Sequence, residues 1–347
     1  MTVYAFDPLR DSRWADFVQT NTNASVFHTP GWLEALRSTY GYTPVVFTTS
    51  PPEAKLTNGI AFCRVSSWLT GRRMVSLPFA DHCEPLFEST EDSKELFGFL
   101  RRAIKTGNWK YIEIRPRNSG LLAEVSAEEK GRSFCFHRLD LRASLDDLFR
   151  GLQKSSIQRM IRRSQREGLC CERGRSKALL DKFYCLMLKT RRRHKLPPQP
   201  ISWFQNLIAY LGDRLSIRVA LKGKEPIASI LTLSHGHTLV YKYGCSDEVY
   251  HHCGSVPFLF WDAIQEAKEN ELQEFDLGRS DVDNLGLINF KNRWGAQASI
   301  LEYVRFSAAQ SAPASEDHRM QVAKRLFAWM PDGLLTTAGK LLYRHIG

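Results

Sequence analysis

The sequence over Ile227–Tyr243 reads Ile-Ala-Ser-Ile-Leu-Thr-Leu-Ser-His-Gly-His-Thr-Leu-Val-Tyr-Lys-Tyr. Two runs rich in β-branched and aromatic residues flank a Ser-His-Gly-His segment, which is the pattern of a β-hairpin. A strand-type run, Leu215–Leu221, precedes the hairpin. A helical pattern over Ser255–Glu269 and a strand that begins at Glu274 follow it. This order of elements predicts an α/β unit with mixed strands.

The same order of elements occurs earlier in the chain. A helical pattern begins at Trp32 in the first half and at Trp203 in the second half. The first-half runs lie at 32–36, 44–49, 59–65, 73–78, 93–105 and 109–115. The spacing is similar in the two halves, with 81 positions from Trp32 to Glu113 and 73 from Trp203 to Asp276. The chain is therefore predicted to hold two copies of one α/β unit.

The repeated unit resembles the core of the GNAT acyltransferase fold. The predicted fold class is α/β, with two tandem GNAT-like domains that contain mixed sheets. Residues 1–141 form the first domain in this interpretation, and 142–195 form a basic helical connector packed on the second domain. Residues 196–306 form the C-terminal catalytic half, and 307–347 form a linker and amphipathic helices.

The composition is that of a folded globular chain, with 43% hydrophobic and 24% charged residues among 347. This excludes a disordered or fibrous protein. No apolar run is long enough to cross a bilayer, and the first residues lack the pattern of a signal peptide, so a cytoplasmic location is expected. The eight cysteines show no CxxC spacing, which predicts free thiols.

The positive charge of the chain is concentrated in one segment. The net charge is +11, and residues 142–195 alone hold 16 Lys and Arg against five acidic residues. Within this segment Arg159, Arg162, Arg163 and Arg166 recur at helical spacing on one face, and Arg192 lies in a second basic cluster at 191–195. A solvated helix face is one interpretation. A phosphate-binding surface is the other, and we favour it because guanidinium groups match phosphate oxygens.

Four strings in the C-terminal half carry a family resemblance: Tyr241-Lys-Tyr-Gly-Cys-Ser, Gly254-Ser-Val-Pro, Phe275-Asp-Leu-Gly and Gly286-Leu-Ile-Asn-Phe-Lys-Asn-Arg-Trp-Gly. Together they resemble the Fem-type peptidoglycan aminoacyltransferases, and equally the bacterial GNAT-like proteins linked to cellulose and exopolysaccharide systems. The N-terminal stretches 27–32 and 77–85 fit the same pattern, so the resemblance covers about residues 25–305. It implies transfer of an acyl or aminoacyl group to an amine.

The resemblance also implies roles for individual residues. Lys291 would bind the developing oxyanion or the donor phosphate, and Phe290 would pack the donor site. Asp276 and Arg279 flank the same loop and are candidate substrate-binding residues, while the general base is left unassigned. Tyr241 and Tyr243 alternate with Lys242, so both are predicted to face one side of their strand, either as core or as a substrate wall.

Gly254 and Ser255 are the candidate cofactor-binding residues. They occupy the place of the GNAT pyrophosphate loop, in which backbone N–H groups at a helix start hold the phosphates of coenzyme A. The segment departs from that pattern at Val256, where a small residue belongs. No tightly bound cofactor is predicted, and either acyl-CoA or aminoacyl-tRNA is left open as co-substrate. No metal site is predicted, because the histidines at 235, 237, 251 and 252 lack ligand spacing.

The predicted function is transfer of an acyl or aminoacyl group to an amine of a phosphate-bearing cell-envelope precursor, of peptidoglycan or exopolysaccharide. The alternatives are a small-molecule N-acetyltransferase that uses acetyl-CoA and a non-catalytic basic scaffold that binds RNA or a polysaccharide-assembly complex. Charged tRNA is a further expected partner. The apolar stripe with cations over 318–347 predicts either a docked C-terminal helix or a helix in peripheral contact with the anionic inner membrane.

Overall fold

The structure is a computed structural model that describes residues 2–87, 89–118, 125–126, 129–307, 327 and 330–346. The chain forms two compact units. Unit 1 takes the described residues within Met1–Phe134, Ile300–Glu316 and Leu341–Gly347. Unit 2 takes those within Cys135–Ser299 and Asp317–Lys340.

The strands of the described chain are β1 Tyr4–Phe6, β2 Thr43–Thr48, β3 Ile60–Ser67, β4 Gly71–Val75, β5 Tyr111–Ile114, β6 Lys130–Asp140, β7 Cys170–Gly174, β8 Leu215–Lys222, β9 Glu225–His235, β10 Thr238–Ser246, β11 Glu274–Asp281 and β12 Gln297–Ser307. The helices are α1 Ser12–Thr20, α2 Pro30–Tyr40, α3 Thr90–Thr106, α4 Leu145–Gly151, α5 Arg159–Arg166, α6 Lys177–Arg193, α7 Ile201–Leu211, α8 Ser255–Glu269, α9 Leu285–Asn292 and α10 Asp332–Ile346.

The sheet of unit 1 has the strand order β1-β2-β3-β4-β5-β12, followed by the first half of β6. From β1 to β12 in this order the pairs are antiparallel except β4 and β5, which run parallel because α3 returns the chain between them. The core of this unit lies between the sheet and α3, where Phe62, Phe97 and Ile112 are fully buried.

The sheet of unit 2 repeats this arrangement, with the second half of β6 followed by β11-β10-β9-β8-β7. Strands β10 and β11 are parallel, and α8 connects them. Strands β7, β8, β9 and β10 are antiparallel neighbours. The main core of unit 2 is built around Phe260 of α8, Phe275 of β11 and Trp294.

The predicted fold class is confirmed. Helix α2 and its following strands in unit 1, and α7 with its following strands in unit 2, have the order predicted from the two tryptophan-led repeats. Helix α8 has the predicted bounds, and α3 begins three residues before the predicted Ser93 because Ser89 caps it through the backbone N–H of Asp92. Helix α5 is preceded by a π-helical turn, Lys154–Gln158, which periodicity did not indicate.

Two further observations bear on the expectations from sequence. Among the described helices, none is both long enough and apolar enough to cross a bilayer. Most of the C-terminal segment predicted to be amphipathic, including Val322 and Leu326, lies outside the described residues. Within the described part, α10 begins at Asp332, directly after Pro331.

Candidate active site in unit 2

The candidate site lies where the two parallel strands of unit 2 separate. Paired residues join Thr238–Val240 of β10 to Glu274–Asp276 of β11 and end there. Strand β10 nevertheless continues to Ser246, still paired with β9, and β11 continues to Asp281. The backbones therefore part beyond Val240 and Asp276, and hydrogen-bonding groups of both strands border the opening.

A β-bulge in β10 sits at the start of this opening. Tyr241 pairs with Thr232 and Tyr243 with Leu231, so Lys242 is the additional residue. The ring of Tyr241 packs on Phe260 of α8, at 4.7 Å between ring centroids. The hydroxyl of Tyr243 accepts a hydrogen bond of 2.8 Å from the indole of Trp203 in α7.

The two tyrosines thus contact different helices. The prediction that both face one side of the strand is wrong, because the inserted Lys242 interrupts the alternation. Tyr241 is half-buried and Tyr243 buried, and burial raises the pKa of the Tyr241 phenol. The Tyr241 hydroxyl is therefore unsuited to act as a base.

Lys291 is the buried cation of the site. It lies in the last turn of α9 with only 2% of its surface exposed. Its Nζ donates hydrogen bonds to the carbonyl oxygens of Gly278, at 2.8 Å, and Arg279, at 3.1 Å. Both carbonyls belong to the part of β11 that has parted from β10. The structure therefore fixes an ammonium group against the separated strand.

The conformation of β11 presents these carbonyls together. Gly278 has a φ of +71°, which L side chains rarely adopt, so this position favours glycine. The buried carboxylate of Asp276 accepts the N–H of Gly278 at 2.7 Å and holds the bend. Arg279 is half-buried and contributes its carbonyl to Lys291. Asp276 therefore stabilises the bend of β11, and Arg279 contributes a backbone carbonyl to Lys291.

Sequence reasoning missed His137 and Asn292. His137 of β6 is fully buried, and its Nε2 lies 3.0 Å from Oδ1 of Asn292, the residue after Lys291. Burial lowers the pKa of His137, the bond to Asn292 opposes the shift, and the nearby Lys291 ammonium lowers the pKa further. The neutral ring donates to the amide oxygen and so positions the end of α9. A lone histidine inside an apolar strand run was the only sequence signal.

The burial of His137 predicts that the free energy of unfolding depends on pH. Because the folded chain disfavours the protonated ring, the unfolded chain binds more protons near pH 6.5, and the free energy of unfolding falls as the pH drops through and below that value. We expect this loss between about pH 7.5 and 5.5, and a smaller loss in His137→Gln. Urea unfolding across that range measures both slopes. Equal slopes in the two proteins would contradict the assignment.

Gly254 and Ser255 begin helix α8, as predicted. Gly254 has a φ of +77°, and a Cβ at this position would lie 2.4 Å from the carbonyl oxygen of Met160 in α5. Packing of α5 is therefore sufficient to explain the glycine. Pro257 removes one of the first-turn N–H donors that phosphates use at helix starts.

The close approach at Gly254 predicts a large loss of stability in Gly254→Ala. The substitution combines the backbone cost of a positive φ, about 1–2 kcal/mol, with the displacement of a neighbouring backbone. Gly223→Ala is the matched control, because Gly223 has a φ of +62° and nothing within 4 Å of its Cβ position. Denaturant unfolding should show the greater loss for Gly254→Ala, and equal losses would refute the contact.

Three buried polar atoms of unit 2 have no hydrogen-bond partner within the described chain. They are the hydroxyls of Ser255 and Ser280 and the indole nitrogen of Trp294. Ser255 begins α8, Ser280 lies on β11 beyond the lysine-bound carbonyls, and Trp294 follows α9. Buried polar groups rarely remain unpaired in a protein interior. Ser280 and Trp294 lie on or next to the elements that hold Lys291, which favours a polar ligand at this site.

Phe290 forms the apolar side of the same region. Its ring packs edge-on against Phe260, at 5.6 Å between centroids, and lies 6.2 Å from Trp294. Phe290 is half-buried and belongs to the edge of the unit 2 core. Phe290 thus directly precedes Lys291 in α9, and its ring packs against the core.

The basic segment forms an open groove of about 740 Å³. Its lining residues are Lys154, Arg159, Arg162, Gln165 and Arg166, and no acidic side chain is among them. Arg162 lies over the ring of Phe149 at 5.5 Å, which orients its guanidinium. In the described chain none of the four cations forms an ion pair. We call this surface the cationic groove.

Two of the predicted arginines lie elsewhere. Arg163 is outside the cationic groove and pairs with Glu167 at 3.5 Å. Arg192 lies in the last turn of α6 and donates a hydrogen bond of 3.3 Å to the carbonyl oxygen of Met330. The predicted face of four arginines is therefore three arginines and Lys154, because the π-helical turn brings that lysine alongside α5.

The corresponding strands of unit 1 do not leave such an opening. Strands β4 and β5 pair over Arg73–Val75 and Tyr111–Glu113. The chain after β4 then remains bonded to β5: the N–H of Ser76 donates to Glu113 and that of Cys83 to Arg115, both at 2.7 Å.

Arg115 closes this segment over the end of β5. Its guanidinium donates to the carbonyl oxygens of Leu77, at 3.1 Å, and Ala80, at 2.9 Å. Leu77 and Phe79 have positive φ values of 55° and 63°, so the segment bends tightly to stay against the strand. Unit 1 therefore fills with its own chain the place that is open in unit 2.

Comparisons with known proteins agree with this arrangement. Residues 152–292 match a family model described as an acetyltransferase (GNAT) domain. No curated protein sequence matches the chain. Among solved structures, FemX is similar, with a TM-score of 0.65, 14% identity, and coverage of 88% of this chain and 97% of FemX.

Two further solved structures share the fold. The C-terminal domain of a putative lysylphosphatidylglycerol synthetase from Agrobacterium fabrum has a TM-score of 0.56, 15% identity, and coverage of 91% of this chain and 94% of that one. A tandem GNAT protein from the clavulanic acid biosynthesis pathway has a TM-score of 0.56, 11% identity, and coverage of 90% and 99%.

The chain thus has the fold of tandem GNAT proteins, and part of it is similar to a GNAT acetyltransferase domain. The GNAT acetyltransferase domain is the segment 152–292, which contains the opening between β10 and β11, the cationic groove and Lys291. The resemblance inferred from the sequence strings is confirmed at this level.

Proposed function

We propose that the protein transfers an acyl or aminoacyl group from an activated donor to an amine on a phosphate-bearing cell-envelope precursor. The observation that carries this proposal is the cationic groove, which offers four cations and no carboxylate in the unit that also holds the buried Lys291. Cations of this number and sign concentrate an anionic substrate and bind its phosphate oxygens.

The chemistry proposed for the site is attack by a neutral amine on an ester or thioester. The nitrogen lone pair forms the new C–N bond, and the carbonyl electrons move to oxygen. Collapse of this oxyanion breaks the bond to the leaving alcohol or thiol, which takes up the proton that the amine loses. Lys291 supplies a preorganised positive charge for the oxyanion, since Gly278 and Arg279 already fix its ammonium.

The names of two structural neighbours support the class of acceptor. One is FemX, and another is a putative lysylphosphatidylglycerol synthetase, whose named product joins an amino acid to a phospholipid. Aminoacyl-tRNA is the donor that we favour, because the N-terminus of α8 is crowded by α5 and has lost a donor at Pro257. The long polyanionic donor also suits a basic unit.

A second candidate is acetyl transfer from acetyl-CoA to a small amine. Ser255 favours it, because its buried hydroxyl lacks a partner within the described chain at the start of a 15-residue helix. A non-catalytic scaffold is a third, and it would bind an anionic partner without consuming either donor.

The test offers the purified full chain each donor separately, with a UDP-linked muropeptide that carries a free amine or with a small amine. Mass spectrometry of the acceptor then reports amide formation. The proposal expects an aminoacylated muropeptide that depends on tRNA. Acetylation of the small amine alone would establish the second candidate, and the absence of any product with retained tRNA binding would establish the scaffold.

A further inference from the structure

Unit 1 carries an exposed apolar tip on its β3–β4 hairpin. Trp68 is 87% exposed and Leu69 54% exposed, in the turn between the paired residues Ser67 and Gly71. A fully exposed tryptophan beside an exposed leucine is uncommon on a soluble surface, and such patches mark interaction sites.

Hydrogen bonds hold this tip in one conformation. The hydroxyl of Ser67 accepts the N–H groups of Leu69, at 3.1 Å, and Thr70, at 3.0 Å. It also lies 3.0 Å from Nδ1 of His345 in α10, and Thr70 donates to the carbonyl oxygen of His345. The indole of Trp68 meets the His345 ring edge-on at 5.8 Å. These hydrogen bonds therefore fix the turn while Trp68 and Leu69 remain exposed to solvent.

The last turns of α10 extend the apolar surface. Leu341 lies one helical turn before His345, on the same helix face, and is 63% exposed. Arg344 is exposed beside it. The patch therefore consists of Trp68, Leu69 and Leu341, all in unit 1.

The charges in the two segments that form the patch have one sign. Residues 54–80, which include the hairpin, contain four Lys and Arg and no acidic residue. Arg64 and Arg72 are exposed on the two hairpin strands, and Lys110 is bonded to the backbone of Arg72. No acidic residue occurs at 333–347. Cations thus flank the apolar tip on both elements that form it.

We propose that this tip docks the protein on an anionic lipid surface. Tryptophan favours the membrane interface, and apolar side chains flanked by cations are the composition of interfacial anchors. Three side chains are too few for a stable protein interface, which needs about 800 Å² from each partner. Charge complementarity therefore favours anionic lipid over a second copy or another protein. This inference does not depend on the transfer reaction.

The experiment is sedimentation of the full chain with vesicles of phosphatidylcholine alone or mixed with phosphatidylglycerol. We expect binding only to the anionic vesicles and weakening by salt. Trp68→Ser with Leu69→Ser should lower the binding by more than about tenfold, because two apolar side chains no longer enter the interface. Arg64→Gln with Arg72→Gln should also weaken it. The control is Val249→Ser, which removes an apolar side chain of unit 2 that is 69% exposed.

Several results would overturn the proposal. A wild-type chain that ignores anionic vesicles, or a Trp68→Ser, Leu69→Ser variant that binds them as well as wild type, would refute lipid docking. Self-association of the wild type that the double variant abolishes would assign the tip to a second copy instead. Transfer to a soluble acceptor should be unchanged in the double variant, so failure of the membrane proposal and failure of the proposed function are distinguishable.

Discussion

Replacing Lys291 by Met is expected to lower kcat by about 10²- to 10³-fold, the usual cost of losing one preorganised oxyanion donor. The structure also predicts a loss of stability, because the substitution leaves the buried carbonyls of Gly278 and Arg279 without their partner. That loss is about 1–3 kcal/mol. Steady-state kinetics and denaturant unfolding of the same preparations measure the two effects separately.

A second lysine of unit 2 provides the matched control. Lys268 also donates to two consecutive backbone carbonyls, those of Leu141 at 2.7 Å and Arg142 at 3.4 Å, but it lies in the last turn of α8. Lys268→Met should therefore cost stability without the kinetic effect. Equal turnover in the wild type and Lys291→Met would remove Lys291 from the active site.

The second large effect concerns the cationic groove. Changing Arg159, Arg162 and Arg166 to Gln should raise KM for the phosphate-bearing acceptor by at least about tenfold, since hydrogen bonds from charged groups contribute about 1.5–3 kcal/mol each. The salt dependence of KM should flatten as well. Initial rates across a series of salt concentrations measure both changes.

Helix α5 itself supplies the control for this experiment. Arg163→Gln removes a charge from the same helix, but from an arginine that pairs with Glu167 outside the groove. It should leave KM and the salt dependence close to those of the wild type. A melting temperature that falls sharply in the triple variant, or an equal effect of Arg163→Gln, would show that the groove arginines are structural.

Local patterns were sufficient to predict the elements and their order. The run at 227–243 became a hairpin, and Ser255–Glu269 is a helix with the predicted bounds. Each of these depends on neighbouring residues, so the chain itself contains the signal. Family resemblance identified Lys291 as a candidate site residue, but the sequence did not predict that its side chain is buried.

The remaining features depend on residues that are distant in sequence. The bulge at Lys242 changes the side that Tyr243 faces, and alternation within one strand does not reveal it. His137 and Asn292 meet across 155 positions. The partner of Arg163 depends on which rotation of α5 packs on α8, and spacing alone allowed four equivalent arginines. Tertiary contacts determine all three.

The two units differ at the ends of their parallel strand pairs. In unit 2 the parallel strands part and Lys291 lies against one of them, whereas in unit 1 the chain around Cys83 bonds to the end of β5. The same order of elements therefore yields one open site and one filled site. Donor binding should be confined to unit 2.

Hydrogen–deuterium exchange of the full chain, with and without aminoacyl-tRNA or acetyl-CoA in separate samples, shows which unit binds the donor. We predict that the productive donor protects the backbone of Tyr241–Ser246 and Leu277–Asp281 and leaves Ser76–Cys83 unchanged. Protection of Ser76–Cys83 without protection of the β10 and β11 segments would contradict the claim.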